Sequence, residues 1–100
     1  MTVIPVPETF NISNAYPNPF NPKTTFDIEM PRSGILSSSI YDLKGTMIKK
    51  VFDDKNVNAG YHKISWDGKD TNGLNVANGV YFIKFQFEQH ATIKRMLLLK

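Results

Sequence analysis

Strict alternation of apolar and polar residues is the mark of a half-buried β-strand, because successive side chains point to opposite faces of a sheet. The chain repeats that rhythm. In residues 24–30, Phe26, Ile28 and Met30 fall on one face and Asp27 and Glu29 on the other. Residues 35–42 align Leu36, Ser38 and Ile40, and residues 61–67 align His62, Ile64 and Trp66. The strongest segment, 80–88, sets Tyr81, Ile83, Phe85 and Phe87 against Val80 and Phe82. Weaker strands are expected at 10–16 and 46–52. The second of these is irregular, with Ile48 and Val51 three apart, as a bulge or an edge position allows. Residues 90–100 supply a seventh strand.

Turn chemistry separates these runs. Pro31, Ser33 and Gly34 supply one turn, and Leu43-Lys44-Gly45 closes a tight hairpin. Residues 53–60 read as a polar loop, DGKDTNG (67–73) as a dense turn, and Ala77-Asn78-Gly79 as another. Strands at roughly 8–12-residue spacing predict an all-β fold, an immunoglobulin-like antiparallel β-sandwich of about seven strands joined by hairpins. The domain is expected over 10–100, preceded by a linker at 1–9, where Pro5 and Pro7 favour extended backbone.

Composition sharpens this picture. Val and Ile number 15, aromatics 12 and Thr 7, against 4 Ala and 6 Leu, so sheet formers outnumber helix formers. One hundred residues suffice for one small core. The absence of cysteine excludes disulfides, a thiolate nucleophile and Cys-ligated metal. The net charge of +3 is local: residues 1–90 hold nine Lys/Arg and nine Asp/Glu, and the excess is Lys94, Arg95 and Lys100. That is too few cations for a nucleic-acid groove. No apolar run is long enough to span a bilayer as a helix, and residues 1–10 lack the pattern of a signal peptide. Read alone, the chain either stays inside the cell or is part of a larger parent that carries the signal.

Candidate chemistry is sparse. No G-x-S-x-G elbow is present, and the carboxylates of Asp53 and Asp54 point apart in extended backbone. His62 reads as a rim residue of a strand. The 67–73 loop is oxygen-rich, but alternate positions after Asp67 hold Lys69 and Thr71 and no Glu follows, so self-capping by Asp and Asn is expected rather than calcium binding. No catalytic residue, metal or cofactor is expected. Tyr41 and Tyr61, out of phase with the apolar residues of their strands, are candidates for a carbohydrate platform.

The termini carry more. In YPNPFNP (Tyr16, Pro17, Asn18, Pro19, Phe20, Asn21, Pro22), three prolines in six residues forbid helix and central strand. This string is expected to plug one end of the sandwich with Phe20 dipping toward the core. The closing strand carries four consecutive apolar residues, Met96 to Leu99, amid basic ones. It could be read by another protein as a displayed edge or through β-strand addition.

These residues resemble the type A C-terminal sorting domains of proteins exported by the type IX, or Por, secretion system of Bacteroidetes-type bacteria. The resemblance runs from Phe10 to Lys100, through YPNPFNPKTTF (16–26), SIYDLKG (39–45), GYHKISWDGKDTNG (60–73), GVYFIKF (79–85) and TIKRMLLLK (92–100). The middle portion is also similar to the immunoglobulin-like domain of flagellar hook-capping proteins. Ser38 departs from the family pattern, standing where an aliphatic residue usually faces the core.

The resemblance implies a non-enzymatic export signal at the C-terminus of a larger cargo, with the terminal strand as the recognised element. Implied partners are the outer-membrane translocon, a sortase-like peptidase that cuts in or before residues 1–9, and the fused cargo. The route would run through the periplasm to the cell surface or medium. By the same resemblance, recognition falls on Gly79, Val80, Tyr81, Lys94, Met96, Leu98 and Lys100. Nucleic acid and stable membrane insertion are not expected, and the isolated domain is expected to be a monomer. The alternatives are an accessory carbohydrate-binding module, or a structural assembly module, of a secreted multidomain enzyme.

Overall fold

The computed structural model describes residues 6–100. Seven strands follow in chain order: β1 (Asn11–Ile12), β2 (Thr24–Met30), β3 (Gly34–Asp42), β4 (Met47–Val57), β5 (Gly60–Trp66), β6 (Gly79–Phe87) and β7 (His90–Leu98). They form a three-stranded sheet in the order β1-β2-β5 and a four-stranded sheet in the order β4-β3-β6-β7, antiparallel throughout. The expected all-β sandwich is therefore the fold.

Alternation decides which faces meet. Phe26, Ile28 and Met30 of β2, with Ile64 and Trp66 of β5, turn inward from one sheet. Leu36 and Ile40, the β6 set Tyr81, Ile83, Phe85 and Phe87, and Met96 and Leu98 of β7 turn inward from the other. Aromatic pairs join the layers edge-to-face. Phe26 and Phe85 lie 5.6 Å apart between ring centroids, and Trp66 and Tyr81 lie 5.3 Å apart. Such pairs add roughly 0.5–1.5 kcal/mol beyond the area they bury. Ser38 is buried on the inner face of β3 between Leu36 and Ile40, and its Oγ has no hydrogen-bond partner among the described residues.

Three expectations need correction. Hairpins do not run throughout: they join β3 to β4 and β6 to β7, whereas β2 pairs with β5 and the links after β2, β4 and β5 cross between sheets. The polar stretch after Phe52 is not a loop, because β4 continues to Val57, pairing Leu36 with Lys55 and Gly34 with Val57. β4 lies at a sheet edge, where polar side chains are solvated on exposed faces and blunt edge-to-edge association. Register shifts along the β3–β4 ladder account for its broken alternation. The expected first strand, 10–16, shrinks to two residues; beyond it the chain follows β2 through single contacts, Ser13 N–H to the Asp27 carbonyl and Tyr16 opposite Thr25.

The linker expected at 1–9 lies partly outside the described residues. Within them, Pro7 is buried while Val6, Glu8 and Thr9 are exposed. Phe10 packs on Phe87, with centroids 5.2 Å apart.

Candidate recognition surface

β7 has one strand neighbour, β6, and so lies at the edge of the four-stranded sheet. In an antiparallel pair, alternate residues direct both backbone groups toward the neighbour and the intervening residues direct both outward. Outward groups at an edge are a template for another chain unless something covers them.

The YPNPFNP segment covers half of that edge. Leu97 donates its N–H to Asn18 Oδ1 at 2.9 Å, and its carbonyl accepts the Phe20 N–H at 2.9 Å. Leu99 donates to the Phe20 carbonyl at 3.1 Å, and Asn18 Nδ2 donates to the Arg95 carbonyl at 3.3 Å. The Asn18 carboxamide thus stands in for a strand residue, offering one acceptor and one donor to β7, while the Phe20 backbone runs parallel to Leu98. The prolines on either side of these groups have no N–H to leave unpaired. The Phe20 ring is buried against Trp66, with centroids 5.6 Å apart. Gly68 permits the fit: its φ is +75°, and a Cβ there would stand 3.3 Å from the Pro22 carbonyl.

The other half is open. The bonds made by Arg95, Leu97 and Leu99 fix the outward set, so the N–H of Arg95 and both backbone groups of Ile93 also face outward. Among the described residues they have no hydrogen-bond partner beyond the sheet.

The residues singled out for recognition fall into two groups. Tyr81, Met96 and Leu98 are buried in the core. The Tyr81 hydroxyl donates to the Ala77 carbonyl at 2.6 Å, and burial, then the Asp42 charge, pushes its pKa up. Lys94, Lys100, Gly79 and Val80 are reachable. Lys94 Nζ donates to Asn14 Oδ1 at 3.3 Å. Lys100 is tied to the 76–78 loop, its N–H to Asn78 Oδ1 at 3.0 Å and its Nζ to the Val76 carbonyl at 2.7 Å. Gly79, at a φ of +154° that L side chains rarely adopt, starts β6 directly opposite Leu98. Gly79, Val80 and Tyr81 line a cleft of about 320 Å³ with Leu43 and Lys44 of the β3–β4 turn.

The remaining candidates are dispersed. Tyr61 projects from the outer face of the three-stranded sheet, and Tyr41 lies half-buried on the outer face of the other. On opposite sides of the sandwich they cannot form one stacking platform. His62 is half-buried, with Nε2 2.7 Å from the Asn58 carbonyl oxygen. In the 67–73 loop Asp67 accepts the Lys69 N–H, and Asp70 accepts those of Asn72 and Leu74, so these carboxylates shape their own turn. The loop closes on itself, with Lys69 and Asn75 in an antiparallel bridge and the Asp70 N–H bonded to the Leu74 carbonyl at 2.9 Å. It docks across the sandwich on β4, where the Thr71 N–H and hydroxyl both reach the Ile48 carbonyl at 3.1 Å. Sequence reading missed the hydrogen-bonding role of Asn18. The usable signal was an amide side chain between two prolines in a chain whose last strand needs an edge cover.

Comparison with known proteins adds the family. The model described as "Secretion system C-terminal sorting domain" matches residues 14–99. A search of curated proteins finds no match. Among solved structures, the chain is similar to dimeric latent PorU from Porphyromonas gingivalis, with TM-score 0.64 and 20% identity over 85% of this chain and 9% of that one. It is similar to PorZ of the same organism, described as an essential surface component of the type-IX secretion system, with TM-score 0.60 and 18% identity over 93% of this chain and 12% of that one. FlgD from Xanthomonas campestris, a hook-capping protein, gives TM-score 0.57 and 22% identity over 84% and 59%. The chain thus spans about a tenth of the length of PorU or PorZ, and these likenesses establish the shared sandwich fold.

The matched family is one of sorting signals rather than catalysts. Membership implies a cargo fused ahead of the domain, interaction with secretion machinery and export to the surface or medium. With the matched residues covering nearly all of the sandwich, the chain belongs to the secretion-system C-terminal sorting domain family, and its role is that of a C-terminal secretion signal.

Proposed function

We propose that the domain carries its cargo through the periplasm to the type IX outer-membrane translocon, which reads β7 in its folded, docked form. A sortase-like peptidase then separates cargo from domain in or before residues 1–9. The observation that carries this reading is the state of the terminal strand. Met96 and Leu98 are fully buried, and the Leu97 and Leu99 amides are bonded to the protein's own loop. Held on both sides over its last residues, from the Arg95 carbonyl to Leu99, the strand end offers a receptor a fixed shape at little cost in ordering entropy. Arg95 and Lys100 are exposed there, and Lys94 half-exposed, so this end of the domain favours encounter with an acidic surface.

The test is a reporter fused ahead of the domain in a bacterium with an active type IX system. Removing residues 93–100 is expected to leave the reporter in the periplasm. Surface display equal to that of the intact fusion contradicts the reading.

A further inference from the structure

The outer face of the four-stranded sheet is unlike the rest of the surface. Rows across it follow from the strand registers. Arg95, Phe82, Tyr41 and Met47 lie side by side across all four strands. Ile93, Lys84, Ser39 and Lys50 form the next row. Val80 pairs with Leu97 beyond the first row, beside the cleft that Leu43 lines. Three apolar members are well solvated, Leu43 at 72% exposed, Ile93 at 62% and Met47 at 45%, while Tyr41, Val80, Phe82 and Leu97 are half-buried between them.

The cations of this face are also uncommitted. Among the described residues, Lys44, Lys84 and Arg95 have no carboxylate within 4.0 Å, and Lys50 has one contact, with Asp53 at 3.7 Å. The Asp42 carboxylate, beside the cleft, is occupied by the backbone N–H groups of Lys44 and Thr46. Burying an apolar band beside unpaired cations is favourable when the partner brings apolar side chains flanked by carboxylates.

From this geometry we infer that the outer face of β4-β3-β6-β7 is the docking surface for an acidic, apolar-centred protein partner, seated on Phe82, Val80 and Leu97 with its carboxylates against Lys84 and Arg95. The inference rests on the sorting function and assigns it to a face, not to the strand edge. The edge offers less: the Leu97 and Leu99 N–H groups are already used, which leaves only the Arg95 N–H and the Ile93 backbone groups for strand addition. A second copy of the chain is disfavoured, because face-to-face association would set these cations against one another. A glycan would meet two half-buried rings interrupted by aliphatic side chains rather than an open platform.

The experiment uses the reporter fusion in a type IX-proficient bacterium, with melting of each purified domain as a check on folding. Lys84→Glu combined with Arg95→Glu alters exposed residues only and keeps the tail's apolar residues. It is expected to lower export about tenfold, as like charges now face the partner, while melting stays unchanged. Phe82→Thr is expected to act in the same direction. The control Tyr61→Thr, on the three-stranded face, exports normally. Normal export of both face variants overturns the inference and leaves the sorting function intact. An unaltered fusion that is never exported removes the sorting function itself. Benzoylphenylalanine at Leu43 identifies the partner class during export. A protease-sensitive adduct that disappears in the charge-reversed variant supports a protein partner. No adduct, a periodate-sensitive one marking a glycan, or one of doubled mass marking a second copy overturns it.

Discussion

The two sheets share a core but finish their outer faces in opposite ways. On the three-stranded sheet each outward β2 side chain has a polar partner: Thr25 with Ser65 at 3.0 Å, Asp27 with Lys63 at 2.6 Å and Glu29 with Asn11 at 2.8 Å. Tyr16 joins the middle pair, its hydroxyl 2.6 Å from Asp27 and 2.9 Å from Lys63. The four-stranded sheet closes half of its β7 edge with the Asn18–Phe20 segment yet leaves its face apolar and cationic. A face whose donors and acceptors satisfy one another has little to gain from a partner. A face with solvated apolar side chains and unpaired cations gains on contact. The contrast separates a surface that completes the fold from one that remains available to a partner.

The largest test of this contrast is at the closed edge. Phe20→Ala removes a ring buried against Trp66 and is expected to cost about 3–5 kcal/mol in denaturant unfolding. A loss below about 1 kcal/mol would show that the segment does not hold the four-stranded sheet together. A smaller effect, of opposite sign, is expected within that sheet. Ser38→Ala removes an unpaired buried hydroxyl and should raise stability by about 1 kcal/mol, read as a higher melting temperature; a fall would mean that the hydroxyl is satisfied.

The smallest effect belongs to the self-satisfied face. The Lys63 ammonium, then the Tyr16 hydroxyl, hold the Asp27 carboxyl below its ordinary value of 3.8. A depressed carboxylate contributes stability above its unfolded-state value and loses it as pH falls through the folded-state value. Asp27→Asn should therefore flatten the acid limb of stability below about pH 4. Lys63, raised by Asp27, acts in the opposite sense: its contribution is present below pH 10.5 and lost as pH climbs through the raised value. Salt should weaken both, because the pair is exposed. An acid limb identical in Asp27→Asn and the parent would refute the pairing.

Much of the sandwich was legible because burial writes period two into the sequence. Phe26-Ile28-Met30 and Tyr81-Ile83-Phe85-Phe87 name their inner faces without structural help. β4 was legible only to Phe52, since an edge strand solvated on its exposed faces has no hydrophobic period to read, and bulges scramble what remains. Strand partners were hidden for another reason: alternation says which face is buried, not which strand lies alongside, so β2 looked like half of a hairpin. At the candidate site the sequence showed a rigid segment and a charged, apolar tail. It did not show that Asn18 binds the tail, a contact between residues almost 80 positions apart. Nor did it show the cationic, apolar face, which exists only once register aligns Arg95, Phe82, Tyr41 and Met47.

Amide hydrogen exchange along β7 of the purified domain tests the docked terminal strand most directly. With the strand held from both sides, the Leu97 and Leu99 amides should exchange as slowly as neighbours bonded to β6, while the outward Ile93 and Arg95 amides exchange rapidly. Equal, rapid exchange at Ile93, Arg95, Leu97 and Leu99 would contradict the account, leaving an open edge where a closed one is described.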